Sequence, residues 1–415
     1  MTMPAPAELS RDTIQVLLLE NIHPSATETF NAFREGRSYA ITRKSSALKE
    51  DELIAALPGV QLLGIRSKTR VTARVVENAR DLLSIGCFCI GTNQVDLVAA
   101  NARGVPVFNA PFSNTRSVAE LMIGEIILLA RQLGDRSREV HAGVWKKVAA
   151  HCYEVRGKVL GIIGYGHIGR QLGVLAEAVG MRVLYHDIAA RLPMGNNRSV
   201  PSLAALLAES DFVSLHVPET PETRNMIGAA ELAKMRKGSY LLNASRGTVV
   251  DIPALVAALK SGHLAGAAID VYPEEPESNT DQFKTDLQGL SNVLLTPHIG
   301  GSTEEAQEAI GREVAAVLGK FAAMGATTGS VNFPQVELPP VKGTHRILNV
   351  HRNEPGVLRD VNRVVADLNA NIDSQFLATE GAIGYLIMDL EQDVSAEVSR
   401  RIEALPSNIR TRVVY

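Results

Sequence analysis

Cysteine, tryptophan and aromatic residues are what this 415-residue chain has least of: three cysteines, one tryptophan and an aromatic share of 5%. So few cysteines, and an odd number of them (Cys87, Cys89, Cys152), cannot build a disulfide framework, which points to a reducing compartment and a cytoplasmic setting. Cys87 and Cys89 have no second pair and no histidines beside them, so they make a poor zinc site and no metal is expected. Long apolar runs are also lacking. The most apolar one, Leu121 to Ala130, contains Glu125 and falls well short of the ~20 residues that span a bilayer. The N-terminus shows no basic region followed by an apolar core, so no secretory signal is expected. No block of like charge occurs and the net charge is −3, which leaves no basic face for nucleic acid and no anchor for a membrane.

What is present is core-forming material: 46% hydrophobic and 21% charged residues, enough to exclude a disordered chain. At about 150 residues per domain, the length suggests two or three domains. Short apolar runs at Ile14–Leu19, Leu62–Ile65, Leu82–Gly86 and Val105–Asn109 read as buried strands, and Ser46–Leu57 and Val95–Arg103 have helical spacing between them. That alternation indicates βαβ units and a parallel sheet. Ser117–Leu133 is helical and apolar nearly all round, the mark of a buried helix. A second α/β series follows with strands at Val159–Gly164, Arg182–His186, Phe212–Val217, Ser239–Asn243, Ala267–Val271 and Val293–Pro297, and Thr303–Ala322 is helical again.

Around Gly325–Gly343 the composition shifts to Gly, Thr, Ser and Pro, as in an interdomain linker. Beyond it lie a strand at Arg346–His351, a helix carrying Val357, Val361 and Val365, strands at Ile372–Thr379 and Ile383–Leu390, a helix carrying Val394, Val398 and Ile402, and a strand at Ile409–Val414. This is the βαββαβ order of a ferredoxin-like unit.

Gly164-Tyr-Gly-His-Ile-Gly169 is a G-x-G-x-x-G placed directly after the strand Val159–Ile163 and before a helical pattern, and the next strand ends in Asp187. In that context each part has a physical task. Gly164 permits a tight turn, Gly166 admits a pyrophosphate to the helix N-terminus and Gly169 lets helix and strand pack closely. Asp187 would accept hydrogen bonds from the adenosine ribose hydroxyls and repel a 2′-phosphate, so the cofactor is expected to be NAD. Three later strand ends carry Asn243-Ala-Ser-Arg-Gly247, Asp270-Val-Tyr-Pro-Glu-Glu-Pro276 and Thr296-Pro-His-Ile-Gly300. Ligands in such sheets lie beyond the carboxyl ends of the strands, so these loops should converge. Oxidation of a hydroxy acid needs a base, a cation for the carboxylate and a partner that tunes the base, and His298, Arg246 and Glu275 supply one of each.

With this fingerprint and these loops the chain resembles the D-isomer-specific 2-hydroxyacid dehydrogenases. Ser84–Asp96 (SIGCFCIGTNQVD), Phe108–Glu120 (FNAPFSNTRSVAE) and the C-terminal unit are similar to the branch that oxidises D-3-phosphoglycerate to 3-phosphohydroxypyruvate in serine biosynthesis. The resemblance implies a Rossmann-type doubly wound NAD domain (114–300) inserted in a split flavodoxin-like α/β substrate domain (13–113 and 301–336), with the active site in the cleft, and a C-terminal ferredoxin-like ACT domain (344–415). It implies that His298 takes the C2 hydroxyl proton, that Glu275 rather than Glu274 pairs with it, and that Arg246 holds the substrate carboxylate. His167, Ile168, Ala244, Ser245, Arg246, Asp270, His298, Gly300 and Gly301 would line the cofactor beside the fingerprint residues, with Asp270 at the nicotinamide amide.

The substrate phosphate would meet Arg66 and Ser67, with Lys147 reaching it from a neighbouring subunit; Ser45 stands where close relatives carry a basic residue. In the ACT unit His351, Asn353 and Asn371 would bind L-serine as feedback inhibitor, and Glu354 stands where the family often has arginine. A side reaction on 2-oxoglutarate and a homotetramer assembled through the buried helix and paired ACT units are further expectations of the resemblance. Another D-2-hydroxyacid dehydrogenase, or a non-catalytic NAD(H) sensor, are the rival readings.

Overall fold

The computed structural model describes residues 13–32, 38–276, 281–339, 344–391 and 394–414. They form two compact units, one of residues 1–113 with 307–415 and the other of residues 114–306.

The first unit opens with five strands: β1 (Thr13–Leu18), β2 (Ser38–Arg43), β3 (Leu62–Ile65), β4 (Ser84–Cys87) and β5 (Val107–Asn109). They pair in the order β2-β1-β3-β4-β5, every pair parallel. β3 and β4 are buried at every position, as continuous apolar strands covered on both faces must be. Gly64 and Gly86 are register partners. A Cβ on Gly86 would lie 2.6 Å from Val314 and 2.7 Å from Leu318, so the bare glycine is what lets the helix Glu304–Met324 press onto β4. The edge strand β2 and the helices Ser25–Ala32 and Ala73–Asn78 are additional to the elements read from the sequence. β2 is exposed or half-exposed throughout and has no apolar run to betray it.

The second unit holds β6 (Val159–Ile163), β7 (Arg182–His186), β8 (Arg198–Ser199), β9 (Phe212–Leu215), β10 (Ser239–Asn243), β11 (Leu264–Ile269) and β12 (Val293–Leu295). The order is β12-β11-β10-β9-β6-β7-β8, again all parallel. The chain runs outward from β6 through β7 to the short exposed edge strand β8 and then returns to β9 on the other side of β6. The reversal opens a crevice at the carboxyl ends of β6 and β9. One face of this sheet is covered by the helix Thr115–Ala130, whose Val118, Met122, Ile126 and Leu129 pack with Leu160, Ile162, Leu242 and Ala268.

Back in the first unit, the C-terminal strands β13 (Thr344–Arg352), β14 (Ile372–Glu380), β15 (Ile383–Glu391) and β16 (Asn408–Val413) form an antiparallel sheet in the order β14-β15-β13-β16, with helices Val357–Asp367 and Ser395–Glu403 in the βαββαβ positions. The fully buried Arg346 makes a bidentate pair with Asp389 (2.7 and 2.8 Å) and also reaches the carbonyls of Met324, Leu338 and Pro339. Arg412 donates to the carbonyls of Phe321 and Ala322 (2.8 and 3.3 Å), and the Tyr385 hydroxyl donates to Gly325 O (2.6 Å). The last carbonyls of the Glu304–Met324 helix, which have no partners inside the helix, thus find donors on the C-terminal sheet. Arg410 donates to Leu82 O, and burial, with Arg103 nearby, pulls its pKa down to about 10.

The expected linker proves to be part of the fold as far as residue 339. Thr327 N–H and Oγ1 bond Val336 O and Pro334 O, Val331 N–H bonds Val107 O, and the Asn332 side chain accepts from Val107 N–H while donating to Val105 O and Asn101. Phe333 and Val336 are buried against Leu348, Val350 and Tyr385. Side chains therefore serve the backbone that the composition alone suggested was free; residues 340–343 lie outside the described residues.

Glu125 is 2% exposed on the core side of the Thr115–Ala130 helix, and neither carboxyl oxygen has a hydrogen-bond partner. Burial, helped by the Asp270 charge, pushes its pKa up from 4.5 to about 8. The folded chain thus keeps a proton that the unfolded chain sheds above its ordinary value. The unit loses stability as pH rises from the unfolded to the folded value and levels off beyond it. Glu125→Gln, which cannot ionise, is expected to escape this loss. Thermal unfolding at pH 5, 7 and 9 should show the variant gaining on the native chain with pH, by on the order of a few kcal/mol once both values are passed.

Candidate active site

The glycine turn after β6 is built as its spacing predicts. Gly164 has φ +87°, and a Cβ there would sit 2.3 Å from His216 O, the residue just beyond β9, so the crevice is lined by bare backbone. Gly166 precedes the helix His167–Ala178, and a Cβ on it would meet nothing within 4 Å. The approach to the helix N-terminus is therefore open, as a pyrophosphate requires. A Cβ on Gly169 would strike Gly164 O at 2.4 Å, so helix and turn can meet only with glycine there. Asp187, at the end of β7, accepts from Tyr165 N–H (2.8 Å) and Ala189 N–H (2.9 Å), with Arg191 at 3.6 Å. It ties the β7 end to the glycine turn as well as offering its carboxylate.

The three later loops converge through local hydrogen bonding. Asn243 closes β10, its side chain accepting from Ser245 N–H and Oγ and donating to Arg246 O. A Cβ on Gly247 would lie 1.9 Å from the Tyr272 carbonyl carbon, so glycine alone lets the Arg246 turn approach the loop after β11. In that loop Glu275 Oε1 accepts from Tyr272 N–H (3.1 Å), and Glu275 Oε2 lies 2.8 Å from His298 Nδ1. A carboxylate on Nδ1 assigns the proton to that nitrogen and leaves Nε2 as the acceptor. The hydrogen bond that His298 donates to Glu275 raises the His298 pKa above its ordinary 6.5, against the opposing pull of burial and of the Arg246 charge. Burial pushes Glu275 up, but the His298 hydrogen bond and charge, Tyr272 N–H and Arg246 outweigh it and hold the carboxyl below its usual range.

His298 itself has φ +54° and donates its N–H to Asp270 O (2.8 Å). The Asp270 side chain, 1% exposed, accepts from Thr296 Oγ1 (2.6 Å), Ile299 N–H (2.8 Å) and Gly300 N–H (2.8 Å). Both its oxygens therefore help to hold the His298 loop, a task additional to the nicotinamide contact expected of it. Asn243, Gly247, Thr296 and Tyr272, whose hydroxyl lies 3.0 Å from both Ile269 O and Thr296 O, complete the support. Those partnerships cross between strands, and only the motif boundaries around them were visible in sequence. Ala244 and Ser245 sit on the β10 loop, and Gly301 is pressed against Asn114, which a Cβ would meet at 2.2 Å.

Arg66 and Ser67 follow β3 in the other unit, half-buried and exposed respectively. Their loop is pinned from beneath: Glu20 accepts the N–H groups of Arg66, Lys68 and Thr69, and Gln94 donates to Arg66 O. Glu20 belongs to no motif, and Gln94 lies in the Ser84–Asp96 segment without having been singled out there. Lys147 is exposed on the segment that carries Trp145, itself 84% exposed.

The proposed effector residues do not meet within one chain. His351 is 3% exposed, bonded to Asn349 Oδ1 (2.9 Å), and Asn353 donates to Gly381 O (3.1 Å); both lie where β13 ends beside the start of β15. Asn371 precedes Ile372, which pairs with Leu390 at the far end of β15. Gly384, the register partner of His351, and Leu390 are separated by roughly 20 Å of strand. Among the described residues no group of His, Cys, Asp and Glu could hold a metal ion. Cys87 is buried, its thiol pushed well up by burial, and Cys89 donates to Gly91 O.

The family model "D-isomer specific 2-hydroxyacid dehydrogenase, NAD binding domain" matches residues 123–300, and "AHAS small subunit-like ACT domain" matches residues 347–410. The chain is 56% identical over 405 residues to a D-3-phosphoglycerate dehydrogenase of Dictyostelium discoideum, covering 98% of each. It is 52% identical over 414 residues to one of Escherichia coli K12, covering 99% of this chain and 100% of the relative. Among solved structures, D-lactate dehydrogenase of Aquifex aeolicus with NAD and lactic acid superimposes with a TM-score of 0.65 at 27% identity, over 77% of this chain and 100% of that one.

Since the Glu275 hydrogen bond is the main cause of the raised His298 pKa, Glu275→Gln should move the pH limb of catalysis. With His298 as the proton acceptor that the resemblance implies, oxidation is expected to rise with pH through its pKa and reduction, which would use the imidazolium, to fall through it. In the variant both limbs are expected at lower pH, measured as kcat/KM against pH in each direction. His298→Ala should cost about 10²- to 10⁴-fold in rate.

Proposed function

The chain belongs to the D-isomer-specific 2-hydroxyacid dehydrogenases and is an NAD-dependent oxidoreductase, and we propose that it interconverts D-3-phosphoglycerate and 3-phosphohydroxypyruvate. The observation that carries the proposal is the His298–Glu275 pair beside Arg246, on a chain that aligns end to end with relatives named for that substrate. In this reading Arg246 grips the substrate carboxylate and the C2 oxygen with a guanidinium fork. His298 Nε2 takes the hydroxyl proton, and Glu275 steadies the imidazolium that results. NAD, at the Gly164–Gly169 turn with Asp187 at its ribose, supplies the acceptor for the C2 hydride. Asp270 acts from below by fixing the loop. Arg66, Ser67 and Lys147 receive the phosphate, and 2-oxoglutarate is a slower alternative substrate.

The proposal includes the division into substrate (13–113 and 301–336), NAD (114–300) and ACT (344–415) domains, a cytoplasmic setting and a homotetramer. Among the described residues no helix is long and apolar enough to cross a membrane. Val140, Val144, Trp145 and Val148 are exposed together, a surface suited to a second copy. In the C-terminal sheet β16 lies against the rest of its unit, since a Cβ on Gly104 would sit 3.0 Å from Arg410 Cβ. That leaves β14 as the edge open to pairing. Two β14 edges joined antiparallel about a two-fold axis bring Asn371 of one copy to the end of the sheet where His351 and Asn353 of the other sit. L-serine is the proposed ligand there, between copies. Glu354 pairs with Arg352 (3.3 Å), which offsets its charge at the rim.

Loss of NADH absorbance with 3-phosphohydroxypyruvate, 2-oxoglutarate and pyruvate, with and without L-serine, tests the reading. The phosphorylated keto acid is expected to turn over best and serine to slow it. Preference for another keto acid would assign a different substrate, and no turnover at all would favour an NAD(H) sensor. Turnover that ignores serine would remove the effector assignment alone.

A further inference from the structure

β1 ends in an unusual turn. Glu20 and Asn21 both have left-handed backbone, φ +58° and +51°, a conformation that non-glycine residues adopt at a cost of about 1 kcal/mol or more each. The strain is compensated by what the turn holds. The Glu20 side chain, in a residue 8% exposed, has no ion-pair partner among the described residues; three backbone N–H groups satisfy it, from Arg66 (3.1 Å), Lys68 (3.0 Å) and Thr69 (2.8 Å). The Glu20 and Asn21 N–H groups donate to Ser46 O and Lys44 O (3.2 Å each), and Lys44 N–H returns a bond to Leu18 O (2.8 Å).

β1 lies between β2 and β3 in the sheet, so this one turn anchors the loops that leave the carboxyl ends of both neighbours. Those loops carry Lys44, Arg66, Lys68 and Arg70. A loop that binds an anion through its backbone must keep its N–H groups free. Here a buried carboxylate has taken three of them. Of the 66–69 loop only the Ser67 N–H is not taken by Glu20, so anion recognition at this strand end falls mainly to side chains, and their placement depends on how firmly the loop backbone is held.

We propose that Glu20 is a positioning residue for the substrate phosphate: by capturing the N–H groups of the 66–69 loop it fixes where Arg66 presents its guanidinium, and so sets the preference for phosphorylated over unphosphorylated keto acids. The proposal rests on the assignment of Arg66 to the phosphate. Glu20→Gln keeps the shape but replaces one acceptor oxygen with a donor facing N–H groups.

KM and kcat of this variant, of Arg66→Ala and of the double variant are measured with 3-phosphohydroxypyruvate and with hydroxypyruvate, the same keto acid without its phosphate. For Glu20→Gln, KM for the phosphorylated substrate is expected to rise about tenfold, on the scale of a lost charge-assisted hydrogen bond. kcat should change less than KM, and KM for hydroxypyruvate and NADH should hold. In the Arg66→Ala background the same substitution should add little. Equal KM increases on both keto acids would show general loosening and overturn the proposal, as would an unchanged KM for the phosphorylated one. If Arg66→Ala itself keeps the preference for phosphate, the assignment of Arg66 fails instead. Should Glu20→Gln not fold, Glu20→Asp, which keeps the charge but withdraws it from the loop, is read by the same split.

Discussion

A carboxylate buried under a loop has to be satisfied by that loop, and Asp270 imposes this condition on the catalytic end of the NAD unit. Its oxygens accept from Thr296, Ile299 and Gly300, and its backbone carbonyl accepts from His298 N–H, so the segment that carries His298 is held from beneath. The left-handed backbone of His298 is the conformational price of facing Glu275 from that position. Backbone N–H groups satisfy an anion without neutralising it, and they fix direction more narrowly than an ion pair between long side chains would. Glu20 stands in the same relation to the 66–69 loop in the other unit. Two loops assigned to the substrate therefore hang on buried carboxylates whose supporting task no motif announces.

The division of labour around His298 follows from the same economy. Glu275 raises its basicity and orients the ring, the Arg246 charge tempers the shift, and burial opposes charge on both members of the pair. Tyr272 and Gly247 allow this by bringing the loops after β10 and β11 into backbone contact. None of them needs to touch substrate for its loss to be felt in catalysis.

Strands buried on both faces were legible in the sequence because their apolar runs are uninterrupted: β3, β4, β6, β9 and β10 fall where those runs do. The edge strands β2 and β8 were not, since an exposed edge has no apolar pattern to show. Gly164, Gly166, Gly169 and Asp187 could be read from spacing because their task is local to one βαβ unit. The loop-holding tasks of Asp270 and Glu20 were not legible, because a carboxylate that accepts backbone N–H groups has the same local sequence as one that faces a ligand. The 325–339 segment misled for a related reason. Its Gly, Ser and Pro content looks free, but Thr327, Ser330 and Asn332 supply the hydrogen bonds that secondary structure would otherwise provide. Asn371 was grouped with His351 by family resemblance; within one chain the strand register separates them, so their grouping depends on a second copy that a single sequence does not display.

The grip of the C-terminal sheet on the Glu304–Met324 helix bears on how such a chain can be cut and joined during evolution. The Aquifex aeolicus structure is matched along its whole length by 77% of this chain, so the family's catalytic architecture exists without the extra part. Here the helix no longer ends as a free-standing terminus does. Its final carbonyls rely on Arg346, Arg412 and Tyr385, and Phe333 is buried against the added sheet. Losing the C-terminal segment would take these donors from the carbonyls of Ala322, Met324 and Gly325, leave Phe321 O with Gly325 N–H alone, and uncover an apolar seam. An appendage of this kind works as a ratchet: easily retained once its host has adapted to it, and lost only if substitutions at the helix end restore a surface that water can accept.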